Sequence, residues 1–110
     1  MATAPSLQES RRATRDVVSF RAMIDGPAGV RTTALVVNIS PLGFMSRTDA
    51  ALTPGERIAV TLPMIGPRAA RVVWALGGRV GGEFIDPIPA ESYARLLLAA
   101  PNDKPGWSDF

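Results

Sequence analysis

Five residues near the start of the chain, Arg11-Arg12-Ala13-Thr14-Arg15, place two arginines four positions apart with a third beside them. A guanidinium is a planar, permanently charged fork of donors that grips two phosphate oxygens at once, reads a base edge, or stacks on a ring. Standing alone, such a run is most simply a solvated basic arm. A second group follows at Asn38-Ile39-Ser40-Pro41-Leu42-Gly43. Asn38 and Ser40 are short neutral groups that can hydrogen-bond a base edge or a ribose, and Gly43 lets backbone approach a ligand closely. The same residue types also bond their own turn, a role compatible with binding. Trp74 is either a core residue or a stacking surface.

What the composition removes is as informative. The 110 residues make about one domain, with room for a modest core but little for both a catalytic cleft and a separate regulatory site. There is no cysteine and no histidine. Disulfides, thiolate or imidazole metal sites and the usual base of a nucleophilic triad are therefore gone. The carboxylates are scattered without an obvious pair, so the expectation is a protein that is not an enzyme and carries no cofactor. A net charge of +2 argues against strong nucleic-acid affinity. All basic residues except Lys104 are arginine, and abundant Ala, Gly and Pro point to compositional bias for that count, though not for the positions above. The start lacks a signal-peptide pattern and no apolar run approaches the ~20 residues of a membrane helix, so a cytoplasmic protein with no membrane insertion is expected.

The elements that must position these groups are mostly strands. Val18, Phe20, Ala22 and Ile24 alternate with polar neighbours, a half-buried strand. Gly26-Pro27-Ala28-Gly29 is a turn, and residues 30–38, rich in Val and Thr, form the next strand. Ser40-Pro41-Leu42-Gly43 breaks it before residues 44–47 resume. Residues 57–62 alternate with Ile58, Val60 and Leu62 on one face, Gly66-Pro67 turns the chain, and 68–76 and 80–85 pair across Gly77-Gly78. Gly81-Gly82 suggests a bulge or a close backbone approach. Residues 90–100 alone read as helix, with Tyr93, Leu96, Leu97 and Ala100 on one face and Pro101 as the stop. The expected fold is mainly all-β: a small six-stranded antiparallel β-barrel capped by a C-terminal α-helix.

Taken in this order, about a strand pair apart, the two motifs resemble the PilZ family, whose first motif is R-x-x-x-R and whose second is D/N-x-S-x-x-G. Val72-Val73-Trp74 and Val80-Gly81-Gly82-Glu83-Phe84 look like that family's closing hairpin. The resemblance covers residues 11–100, between a flexible arm, 1–10, and a tail, 101–110. It implies a barrel of PilZ type that binds the second messenger cyclic di-GMP, often as a stacked dimer, through Arg11, Arg12, Arg15, Asn38, Ser40 and Gly43, with Trp74 near the ligand. Some members carry a further arginine before the first motif; here Ser10 stands there, which leaves one or two bound ligands open. With no output domain in these residues, the expected role is an adaptor in a bacterial cytoplasm. Its arginine segment folds onto the barrel when ligand binds and so signals to a downstream protein partner. Two other readings remain: a PilZ-like scaffold that works through protein contacts alone, and a small barrel that binds RNA or single-stranded DNA. The latter usually needs several exposed aromatics, whereas Phe20, Phe44 and Phe84 fall where core is expected.

Overall fold

Two-fold alternation of apolar and polar residues builds six strands: β1 (Asp16–Asp25), β2 (Arg31–Ile39), β3 (Gly43–Arg47), β4 (Arg57–Leu62), β5 (Gly66–Leu76) and β6 (Arg79–Phe84). A single turn of 3-10 helix at Pro27–Gly29 joins β1 to β2, and helix α1 spans Ala90–Ala99. This computed structural model describes residues 15–100; the arm 1–10, Arg11, Arg12 and the tail 101–110 lie outside the described residues. The strands pair antiparallel in the order β1-β2-β3-β6-β5-β4, and β1 returns to β4 through Met23–Thr61, Ile24–Val60 and Asp25–Ala59 to close a barrel. Closure leaves no free sheet edge, which suits so small a domain. No helix among the described residues is long and apolar enough to cross a membrane.

Inward positions are mostly apolar because a closed wall leaves them no water; the exception in β3, Ser46, donates its hydroxyl to the Val80 carbonyl at 3.3 Å. Phe20, Ile24, Val36, Ile39, Phe44 and Val60 are fully buried, each large side chain contributing roughly 1.5–3 kcal/mol of transfer free energy. Phe44 and Phe84 pack with ring centroids 5.5 Å apart. The strand reading of 57–62 holds residue for residue, Ile58, Val60 and Leu62 pointing inward. Two expectations need correcting. The turn lies just before Gly66-Pro67, because Met64 adopts φ 68° and Gly66 already pairs with Leu62. The buried helical stripe runs Tyr93, Leu96, Ala100, while Leu97, about 100° further round, stays partly exposed. Of the two readings of Gly81-Gly82, the close approach holds at the glycines themselves, and the bulge lies opposite them in β5.

Helix α1 docks at the barrel end where β1 begins and β2 finishes. The Tyr93 hydroxyl is 2.5 Å from Asp16 Oδ2 and 2.9 Å from the carbonyl oxygen of Ile39, a single proton facing two acceptors. Burial first, then the hydrogen bond and negative charge of Asp16, push this phenol well above its usual value near 10. The fold thus favours the neutral phenol, whose contribution is complete below about pH 10 and lost as pH climbs beyond it. Tyr93 is the only tyrosine, so tyrosinate absorbance reports on it directly. The expected result is ionisation that begins only well above pH 10 and is accompanied by loss of stability. Tyr93→Phe should cost about 1–3 kcal/mol at neutral pH by stranding buried acceptors. Denaturant titrations at rising pH should show the gap between the two proteins closing above pH 10.

Candidate functional site

Strict alternation would turn Asn38 and Trp74 into the barrel. In β2, Ala34 and Val36 point inward, so Asn38 would follow them; in β5, Ala70 and Val72 do, so Trp74 would follow. An extra residue in each strand prevents this. Pairing of β2 with β3 steps from Val36–Ser46 to Asn38–Met45, leaving Val37 over, and pairing of β5 with β6 steps from Val72–Gly82 to Trp74–Gly81, leaving Val73 over. A one-residue bulge reverses the phase of everything beyond it. Ile39 then takes the inward position, and Asn38 and Trp74 emerge on the outer wall.

Arg15 enters directly before β1, whose Val17 pairs with Asn38. Its Nη1 donates to Asn38 Oδ1 at 2.8 Å, so the end of the first motif and the head of the second touch. The exposed remainder of the guanidinium lines an open cleft of about 580 Å³, a size that suits a small-molecule ligand. Ser40 is buried and serves the corner itself. Its Oγ accepts from the N–H groups of Leu42 at 3.1 Å and Gly43 at 3.2 Å, and its own N–H donates to the Gly43 carbonyl at 2.8 Å. The hydroxyl proton remains available as a donor. The corner is tied down further by Phe84 N–H to the Leu42 carbonyl at 2.8 Å and Ile88 N–H to that of Pro41 at 2.9 Å. Gly43 is demanded by the sheet: a Cβ there would run into the carbonyl oxygen of Gly82 across the β3–β6 pair.

Of the expected site residues, Arg15, Asn38, Ser40, Gly43 and Trp74 all line this one cleft, while Arg11 and Arg12 lie outside the described residues. Trp74 is 39% exposed and lines the same cleft as Arg15, which decides between the core and surface readings. Gly81 and Gly82 make room for aromatic rings, the Trp74 indole lying where a Gly81 Cβ would be and the Phe44 ring where that of Gly82 would be. Sequence reading missed Leu42, Met45, Val73 and Glu83, which complete the lining together with Phe44, Gly81 and Gly82. Their signal is the β3–β6 register, Gly43 beside Glu83 and Met45 beside Gly81, which exists only once the strands are paired. The cleft therefore offers a cation and an amide at one end, apolar and indole surface at the other, and an exposed carboxylate, Glu83.

No family model matches the sequence, and no curated protein matches it. Among solved structures, the chain is similar to the PilZ domain of CeSA from a cellulose-synthesizing bacterium, with a TM-score of 0.59 at 15% identity. The likeness covers 77% of this chain and 93% of that one. The fold is that of a PilZ domain: a closed six-stranded antiparallel barrel with a helix after the last strand.

The close approaches at the two glycines give separable outcomes. Gly43→Ala meets backbone that cannot swing away and should cost about 1–3 kcal/mol, measured by denaturant unfolding. Gly81→Ala meets a side chain at the surface, so it should cost less while displacing Trp74, seen as a shift of the Trp74 indole N–H resonance.

Proposed function

We propose that this domain is a receptor for cyclic di-GMP that works as an adaptor in the bacterial cytoplasm rather than as an enzyme. The observation that carries the reading is the Arg15–Asn38 hydrogen bond, which joins the last arginine of the first motif to the Asn-x-Ser-x-x-Gly corner in a cleft that Trp74 also lines. A cyclic dinucleotide presents two phosphates and two guanines. The Arg15 fork suits a phosphate or the O6 and N7 atoms of a guanine, and Trp74 offers a face for base stacking. Glu83 is an acceptor suited to the amino edge of a guanine, which sets that base apart from adenine. Arg11 and Arg12 precede Arg15 by at most four residues, a reach of about 13 Å, enough to fold over a ligand in the same cleft.

Signalling then follows from the ligand's demand on the arginine segment. Free guanidinium groups have no reason to converge, and two phosphates supply one; the segment orders and presents a new surface to a protein partner. The fold likeness to a PilZ domain supports the same reading.

Calorimetry with cyclic di-GMP tests it. Binding is expected, weakened about ten-fold or more by Arg15→Ala, since a hydrogen bond to a charged group is worth roughly 1.5–3 kcal/mol. Trp74→Ala should weaken it by about 1–3 kcal/mol through lost stacking. Absence of binding, or binding indifferent to Arg15→Ala, removes the proposal.

A further inference from the structure

Arg15 enters the cleft from a stretch of wall that the main strand ladder does not hold. Pairing of β1 with β2 is unbroken from Phe20–Val36 to Asp25–Arg31, then slips, and only Val17–Asn38 and Asp16–Ile39 pair beyond the slip. Asn38 and Ile39 are also held from their other side, by Met45 and Phe44 of β3. The start of β1 has no second strand beside it, since β4 pairs with β1 only at Met23, Ile24 and Asp25. A strand end held by two rungs past an interruption frays unless something else ties it down.

Tyr93 of α1 is that tie. Its hydroxyl is 2.5 Å from Asp16 Oδ2 and 2.9 Å from the Ile39 carbonyl oxygen, so it fastens both strands of the last rung to the helix. Arg15 adjoins Asp16 and Asn38 adjoins Ile39, and those two side chains meet at 2.8 Å. The end of the ladder is therefore held twice, by a phenol from the helix and by a guanidinium–amide pair at the cleft. Without the phenol Asp16 is free to move, and Arg15, one covalent step away, moves with it. Burial and the Asp16 charge keep the phenol protonated, so the donor is in place throughout the neutral range.

We infer that Tyr93 is a positioning residue for the cleft, holding the start of β1 so that the Arg15 guanidinium stays beside Asn38, and that docking of α1 is thereby linked to occupancy of the cleft. The inference rests on the cyclic di-GMP reading of that cleft. A ligand that grips Arg15 in this place must favour the docked helix by the same factor as the docked helix favours the ligand. No residue of α1 lines the cleft, so occupancy is reported by an element the ligand does not touch.

The test uses the full chain with Tyr93→Phe, Arg15→Ala and the two combined. Without ligand, the side-chain amide resonances of Asn38 in Tyr93→Phe should move toward their positions in Arg15→Ala, because both changes release the same hydrogen bond. The amides of Gly77 and Gly78 should stay in place; they belong to a second open cleft, of about 780 Å³, that shares no residue with the first. With cyclic di-GMP, calorimetry should show Tyr93→Phe binding at least five-fold more weakly than the parent. When Arg15 is already alanine, the same change should weaken binding less than two-fold, since Tyr93 acts through Arg15. Ile58→Val, a truncation in the core of β4 that lines neither cleft, should bind as the parent does, separating lost positioning from lost stability. Hydrogen exchange of the α1 amides should slow on saturation in the parent and not in Tyr93→Phe. Unmoved Asn38 resonances overturn the inference with no ligand present. If the parent binds and Tyr93→Phe binds equally well, or weakens binding equally in both backgrounds, the inference falls and the nucleotide reading stands. If the parent does not bind, the nucleotide reading falls and the link between α1 and occupancy falls with it, while the Asn38 shift still decides what Tyr93 holds.

Discussion

Closure of β1 onto β4 commits the inner face of every strand at once. In an open sheet a polar residue at the wrong phase can tilt toward water; in a closed barrel it is sealed in, at the cost of desolvating a group with no partner. Each strand must therefore keep its apolar phase, or change it where an extra residue is inserted. Of the three insertions, one lies in β1 between Val17 and Phe20, while those at Val37 and Val73 flank the β3–β6 pair on either side and bring Asn38 and Trp74 to the outer wall. The cleft is in this sense a by-product of barrel closure, placed where the alternation is interrupted.

Rigidity at the cleft comes from the same end of the barrel. Arg15 and Asn38 adjoin Asp16 and Ile39, the two residues that Tyr93 holds from α1. Ser40 spends its acceptor capacity on its own corner, and two further backbone bonds pin that corner to the end of β6 and to the segment before α1.

The two clefts differ in kind. One is walled by a cation, an amide, an exposed carboxylate, apolar side chains and an indole. The other has arginine and leucine side chains and no ring.

Much of this protein is written in its local sequence. Alternation at Ile58, Val60 and Leu62 gives β4 to the residue, because an inward position favours apolar groups and the period of a strand is two. Asn38, Ser40 and Gly43 are legible as a corner, since their chemistry acts within four residues. The all-β class, the terminal helix and the pairing of the two motifs follow from the same short-range rules. Tertiary structure alone decided the rest. Whether Trp74 is core or wall depends on a bulge, and a bulge is defined by the partner strand. Gly43, Gly81 and Gly82 signal close approach in the sequence, but that a carbonyl, an indole and a phenyl ring are what lie against them is decided elsewhere in the chain. Glu83 and Gly43 become neighbours only through register. Sequence periodicity carries the direction a side chain faces, while what it faces is set by pairing across tens of residues, which no local pattern encodes.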